Sequence, residues 1–92
     1  MLTPFYANQF KRDLRKIEKA GKKDIEKLKT VIRLLIDGKP LYKSLKEHAL
    51  TGNFKDRREC HIEADWLLVY KLNKQHKTIV FERTGSHTEL FE

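Results

Sequence analysis

An α+β fold is predicted for this chain: an N-terminal helical hairpin laid on one face of a small, mainly antiparallel β-sheet. Two observations carry the prediction. Apolar residues recur at helical spacing through residues 8–36, and after Pro40 they fall into three short β-like runs. Helices first and strands afterwards is the order of an α+β domain, whereas a βαβ chain alternates the two.

The first helix is predicted from Asn8, which can cap it, to about Ala20. Phe10, Leu14 and Ile17 form its apolar stripe, its other faces are basic, and Gly21 stops it. Asp24 can cap the second, in which Ile25, Leu28, Ile32 and Leu35 keep the i, i+3, i+7, i+10 rhythm until Asp37-Gly38-Lys39-Pro40 ends it. The short link between them makes an αα-hairpin. Ahead of it, Leu2 to Tyr6 carries Pro4 and reads as an edge strand, where a missing N–H is tolerated.

Beyond Pro40 a polar loop runs through Gly52. Strands are then expected at about Phe54 to Ile62, Trp66 to Leu72 and Thr78 to Thr84. The last two should form a hairpin. With an even loop centred on Lys74-Gln75, Tyr70 faces Ile79, Leu68 faces Phe81 and Trp66 faces Arg83. An odd loop would shift every pairing by one residue. With both helices on one side, the other face of the sheet is expected to lie open.

Ninety-two residues make one domain, residues 1–92, because a chain this short buries only roughly 60–65% of its unfolded surface and cannot fill two cores. Twenty Lys and Arg against thirteen Asp and Glu leave a net charge of +7. That excess favours a polyanion, nucleic acid first, through phosphate neutralisation and counterion release. A membrane surface suits it less, since the apolar stripes of the basic helices are needed by the core. Cys60 is the single cysteine, which excludes an intramolecular disulfide and a cysteine metal cluster and fits a reducing cytoplasm. The start, MLTPFYANQF, lacks the charged and apolar regions of a signal peptide, and Val31 to Ile36 is too short to span a bilayer.

His48, Arg58, His61, Asp65, Arg83 and His87 stand out as chemistry-bearing residues, all in the second half. Singly, each has an ordinary explanation: a solvated histidine, a structural His–Asp hydrogen bond across the Glu63-Ala64 turn, an Arg83 ion pair with Glu82 or Glu59. His76, in the predicted hairpin turn, is such an ordinary case. As a set they match metal-free RNA cleavage, which needs a base for the ribose 2'-OH, an acid for the departing 5' oxygen and a cation for the phosphorane. Histidine titrates nearest neutral pH, and arginine presents a planar fork to phosphate. Trp66 and Phe91 are expected to stack on bases. No short-spaced metal-ligand pattern, phosphate loop, nucleophile elbow or dinucleotide fingerprint occurs, so no metal and no cofactor is expected.

Two segments, EHALTGNFKDRRECHIEADWLLVYKL and FERTGSHTELF, closely resemble the YafQ branch of the RelE/ParE toxin superfamily, the bacterial mRNA interferases of type II toxin–antitoxin modules. The family pattern reads H-x-L-x-G-x-(W/F)-K, R-x-x-H, D-W with a hydrophobic run to Y-K-L, and R-x-G-(S/T)-H-x-x-L-F. The similarity covers Phe10 to Phe91. It implies a RelE-like fold and a ribosome-dependent endoribonuclease that enters the decoding site, cuts the translated message and is held inactive by a bound antitoxin. His48, His61, Asp65 and His87 take the family's acid–base positions, Arg83 that of the scissile phosphate, and Trp66 and Phe91 lie in or beside the site. Arg58 is expected at a basic position of the same face. One departure is Ala64, where family members often have Pro before the Asp, leaving a less rigid turn.

Two other functions fit the same fold. A toxin of the ParE branch would inhibit DNA gyrase without cutting RNA, and a non-catalytic RNA-binding module would need only the charge and the aromatics. The histidines argue for the nuclease, since neither alternative needs proton-transfer groups.

Overall fold

A computed structural model describes residues 1–52 and 56–91. The predicted start of the first β-like run, Phe54, and the adjoining Lys55 of the family pattern lie outside the described residues. Helix α1 spans Asn8–Ala20 and ends at Gly21, left-handed at φ 67°, whose N–H donates to the Ile17 carbonyl. Asn8 does not cap it. Ala7 takes that position without a side-chain bond, because strand β1, Thr3–Tyr6, runs straight into the helix: the Ala7 N–H is still tied to the sheet through the Phe81 carbonyl at 3.0 Å. Helix α2, Ile25–Ile36, does open on Asp24, whose carboxylate accepts from the Glu26 amide at 3.1 Å.

The remaining elements are β2 at His48–Ala49, β3 at Arg57–Glu63, β4 at Trp66–Asn73, β5 at Thr78–Gly85 and a short helix α3 at His87–Phe91. They build one five-stranded sheet in the order β1-β5-β4-β3-β2. β1 lies at the edge, as Pro4 requires, and pairs parallel to β5, while the other pairings are antiparallel. The stretch read as a polar loop holds more structure than its composition suggests. A 3-10 turn at Lys43–Leu45 buries Leu45 in the core, and β2 follows it at the far edge.

Alternation decides which face each strand residue serves. Cys60, Ile62, Trp66, Leu68, Tyr70, Ile79 and Phe81 face the helices and close on Phe10, Ile17, Leu28, Val31 and Leu35. Leu67 and Val69 face the other way. That face is not fully open: Leu90 of α3 packs on them, with Leu50 and Phe91 at the margin.

The β4–β5 loop has an even number of residues, as expected, but four of them, Lys74 to Lys77. A two-residue loop wants Asn or Gly at positive φ, and Lys74-Gln75 is neither. The chain instead makes a longer turn, with Lys77 left-handed at φ 54° and Asn73 Oδ1 accepting the His76 amide at 3.1 Å. Tyr70 therefore faces Phe81, and Leu72 faces Ile79. A bulge follows, where the register shifts between Val69 and Tyr70 so that Glu82 is the extra residue on β5 and Arg83 stands opposite Val69, not Trp66.

Candidate active site

Register across the non-helical face puts His48, Glu59, Val69 and Arg83 in one row over four strands, about 14 Å at normal strand spacing. The next row is His61, Leu67 and Gly85. Leu67 and Val69 thus form an apolar floor between polar groups carried by β2 and β3 on one side and by β5 and α3 on the other.

Glu59 organises the first side. It is 5% exposed, and its Oε2 lies 2.9 Å from His48 Nε2 and 3.8 Å from His61 Nε2. The two imidazoles sit 6.4 Å apart between centroids. Their other nitrogens face main-chain oxygens, His48 Nδ1 that of Ala49 at 3.3 Å and His61 Nδ1 that of Ala64 at 3.4 Å. His48 therefore has an acceptor for whichever nitrogen carries its proton, while His61 Nε2 stands near Glu59 but beyond hydrogen-bond reach. Glu59 Oε1 is buried without a hydrogen-bond partner among the described residues, so the carboxylate is retained in an environment that costs free energy unless a ligand or proton uses it. One atom from each of the three side chains falls within 4.8 Å of the others, close enough to hold one borderline cation of the zinc or copper type. No ligand spacing marks these residues in the sequence, because His48 meets Glu59 and His61 only through the pairing of β2 with β3.

The second side is the tail. Gly85 has φ 157°, a conformation side chains rarely adopt, and a Cβ there would come 3.2 Å from Glu89 Oε1 and 3.4 Å from Leu90, so a larger residue would strain the backbone and press on Glu89. Ser86 and Glu89 then make a reciprocal capping box: the Ser86 amide donates to Glu89 Oε1 at 2.9 Å and the Glu89 amide to Ser86 Oγ at 3.2 Å. These bonds, helped by Lys16 at 3.2 Å, hold the Glu89 carboxyl below its usual range. Asp65, at the β3–β4 turn, accepts the His87 amide at 3.1 Å, and the His87 and Phe91 rings lie 5.1 Å apart. His87 and Phe91 are thus carried by a short helix, α3, whose one sequence signal is the S-x-x-E of Ser86 to Glu89.

Three expected placements are corrected. Trp66 is 1% exposed and its indole donates to Thr84 Oγ1 at 2.9 Å, so it is a core residue with its polar atom satisfied and has no face for a base. Arg58 alternates onto the helix-packed side beside Tyr70 and meets Glu47 at 3.4 Å, away from the histidines. Arg83 pairs with neither Glu82 nor Glu59. Asp13 of α1 takes its Nε at 2.8 Å and Nη2 at 3.3 Å, and also the Thr84 amide at 3.1 Å, while Glu82 pairs with Arg57. Arg83 and Thr84 line a cleft of about 280 Å³ with Arg12, Asp13, Lys16 and Glu89. Cys60 is fully buried, and burial pushes its thiol up to about 12, which removes it as a nucleophile.

Residues 2–92 match the family described as bacterial toxin of type II toxin-antitoxin system, YafQ. Over 87 residues the chain is 42% identical to the mRNA interferase toxin YafQ of Escherichia coli, covering 94% of this chain and 91% of that one. Among solved structures it is similar to YafQ from Escherichia coli, with a TM-score of 0.92, 39% identity and all of both chains covered. It is similar too to a metal-bound toxin from Helicobacter pylori (0.89, 43%, 99% of this chain and 100% of that one) and to the Escherichia coli DinJ–YafQ complex (0.88, 40%, all of both chains).

Proposed function

From the premise that this chain belongs to the YafQ family of type II toxin–antitoxin toxins, we propose that it is an mRNA interferase whose acid–base groups are the histidines of the non-helical face. The observation that carries this reading is the pair of imidazoles, His48 and His61, gathered on one buried carboxylate.

In the reaction the 2'-oxygen of a ribose attacks the adjacent phosphorus and the bond to the 5' oxygen breaks. The products are a 2',3'-cyclic phosphate and a free 5'-hydroxyl. One proton leaves the 2'-OH and another reaches the 5' oxygen. His48 and His61 stand on one side of the apolar floor and His87 on the other, which supports a division of the two transfers between them. Asp65 holds the His87 backbone and so the start of α3. Asp13 takes two N–H groups of Arg83, and three remain for phosphate oxygens. Phe91, next to His87, supplies the stacking surface that Trp66 cannot.

A cation held by His48, Glu59 and His61 would supply Lewis-acid polarisation of a phosphate oxygen. Direct proton transfer by the same imidazoles needs none. The ribosome as the place of cleavage and an antitoxin of the DinJ kind as the inhibiting partner are part of the same proposal: solved DinJ–YafQ complexes of Escherichia coli support the antitoxin, and the charge of +7 suits both rRNA and an acidic antitoxin segment. Among the described residues no helix is long and apolar enough to cross a membrane.

Primer extension on messages from cells producing the protein tests the reading. Cleavage at fixed codon positions is expected, and His87→Ala should abolish it with the fold retained. Purified protein and translating ribosomes should still cut in 1,10-phenanthroline. Full activity of His87→Ala would remove that residue from the chemistry, and loss of activity on chelation would give the chemistry to a bound metal.

A further inference from the structure

His48 sits on a strand of only two residues at the sheet edge, paired through His48–Glu59 and Ala49–Arg58. So short a strand has little hold of its own, and a slip of one residue would turn His48 to the opposite face. Something else fixes the register. Glu47 immediately precedes His48, and neighbouring residues of an extended chain point to opposite faces. While His48 meets Glu59 on one side, Glu47 reaches the helix-packed side, where its carboxylate accepts a hydrogen bond from the Tyr70 hydroxyl and lies 3.4 Å from Arg58 Nε. Tyr70 is fully buried in the core. Burial and the Glu47 bond raise its phenol far above the usual range, so it remains a donor at any physiological pH. Upstream, Leu45 is buried and Lys46 turns left-handed at φ 48°, delivering the chain to Glu47 in one conformation.

We infer that Glu47, Tyr70 and Arg58 are positioning residues for the cleavage reaction, a clamp on the helix side of the sheet that sets where the His48 imidazole stands on the other side. This rests on the reading of His48 as an acid–base group. It also assigns Arg58, whose place away from the histidines left it without a part in catalysis.

Tyr70→Phe tests it, removing one hydroxyl and leaving the ring in the core, and Glu47→Gln tests it from the half-exposed end. Each should lower kcat on the order of tenfold or more, as expected when a catalytic group is displaced by about an ångström, with KM little changed. Placed in a His48→Ala background, neither should lower kcat further. NMR of the ring nitrogens should show His48 shifted in Tyr70→Phe and His87 unmoved. A tenfold loss that persists in the His48→Ala background, or His48 resonances identical to those of the parent protein, would overturn the inference. Full activity of His48→Ala alone would instead sink the acid–base reading, and the NMR measurement would still decide the clamp.

Discussion

Glu59 shows how far a single residue's meaning depends on what surrounds it. In the sequence it is one of thirteen acidic residues, in a strand where alternation allows either face. In the fold it is nearly inaccessible, with one oxygen shared by two imidazoles and the other without a partner. Glu59→Gln keeps the shape but replaces an anion that faces both rings by a neutral group whose NH2 must find an acceptor in the same space. Cleavage should fall at least tenfold, the scale of losing a charge-assisted hydrogen bond of roughly 1.5–3 kcal/mol. Thermal melting should show the variant folded, and unchanged cleavage would reduce the carboxylate to a packing role. His48, His61, Asp65, Arg83 and His87 could be singled out as candidates because they are the residue types the chemistry needs. Trp66 was misread because an indole looks the same in a sequence whether it faces solvent or core; only Thr84, waiting for its N–H on the next strand, decides the matter.

At the scale of elements, α1, α2 and the β-hairpin followed from periodicity and punctuation, while β2 and α3 did not: two and five residues carry no period, and α3 is marked only by its Ser86–Glu89 capping signal. The hairpin register was missed for a physical reason as well: Lys74-Gln75 is a poor two-residue loop, and a bulge at Glu82 is set by packing, not by local propensity. α3 matters because it delivers His87 and Phe91, and its stability hangs on few groups. Glu89 has a folded pKa held below the ordinary 4.5, by the Ser86 amide first. A depressed acid contributes stability that is complete above its unfolded pKa and is lost as pH falls through the folded value. The Ser86–Glu89 box should therefore hold at neutral pH and loosen as pH falls below the ordinary 4.5. NMR signals of residues 86–91 followed from pH 7 to pH 3 should report α3 melting before the sheet does. Gly85→Ala should produce the same detachment at neutral pH, at about 1 kcal/mol or more of strain, with cleavage lost and the sheet intact. If Gly85→Ala cleaves normally, the tail is not part of the site.

The whole molecule divides its labours by face: an apolar core between helices and sheet, proton-carrying groups on the far side of the sheet, and cations spread over α1. Charge and composition pointed only to a kind of partner, because a net +7 on 92 residues favours a polyanion. They were silent on geometry, since the same cations satisfy an RNA backbone, an acidic antitoxin segment, or an internal partner such as the one Asp13 finds in Arg83. Arg12, Arg15 and Lys19 line one shallow groove on α1 with Lys16; Lys16 pairs with Glu89 and so also serves α3. If the groove tracks phosphates, replacing Arg12, Arg15 and Lys19 by Gln should weaken binding to single-stranded RNA without touching the histidines. Each lost phosphate contact lowers the slope of log K against log salt by about 0.7 for a single strand, so the triple variant should flatten it by about 2. Fluorescence anisotropy across a salt series measures that slope, and single-turnover cleavage at saturating protein should stay near the parent rate. An unchanged slope would mean that RNA approaches by another surface, leaving α1's cations to solubility or to the antitoxin. A lost single-turnover rate would mean that α1 does more than bind, through the Asp13 contact that holds Arg83.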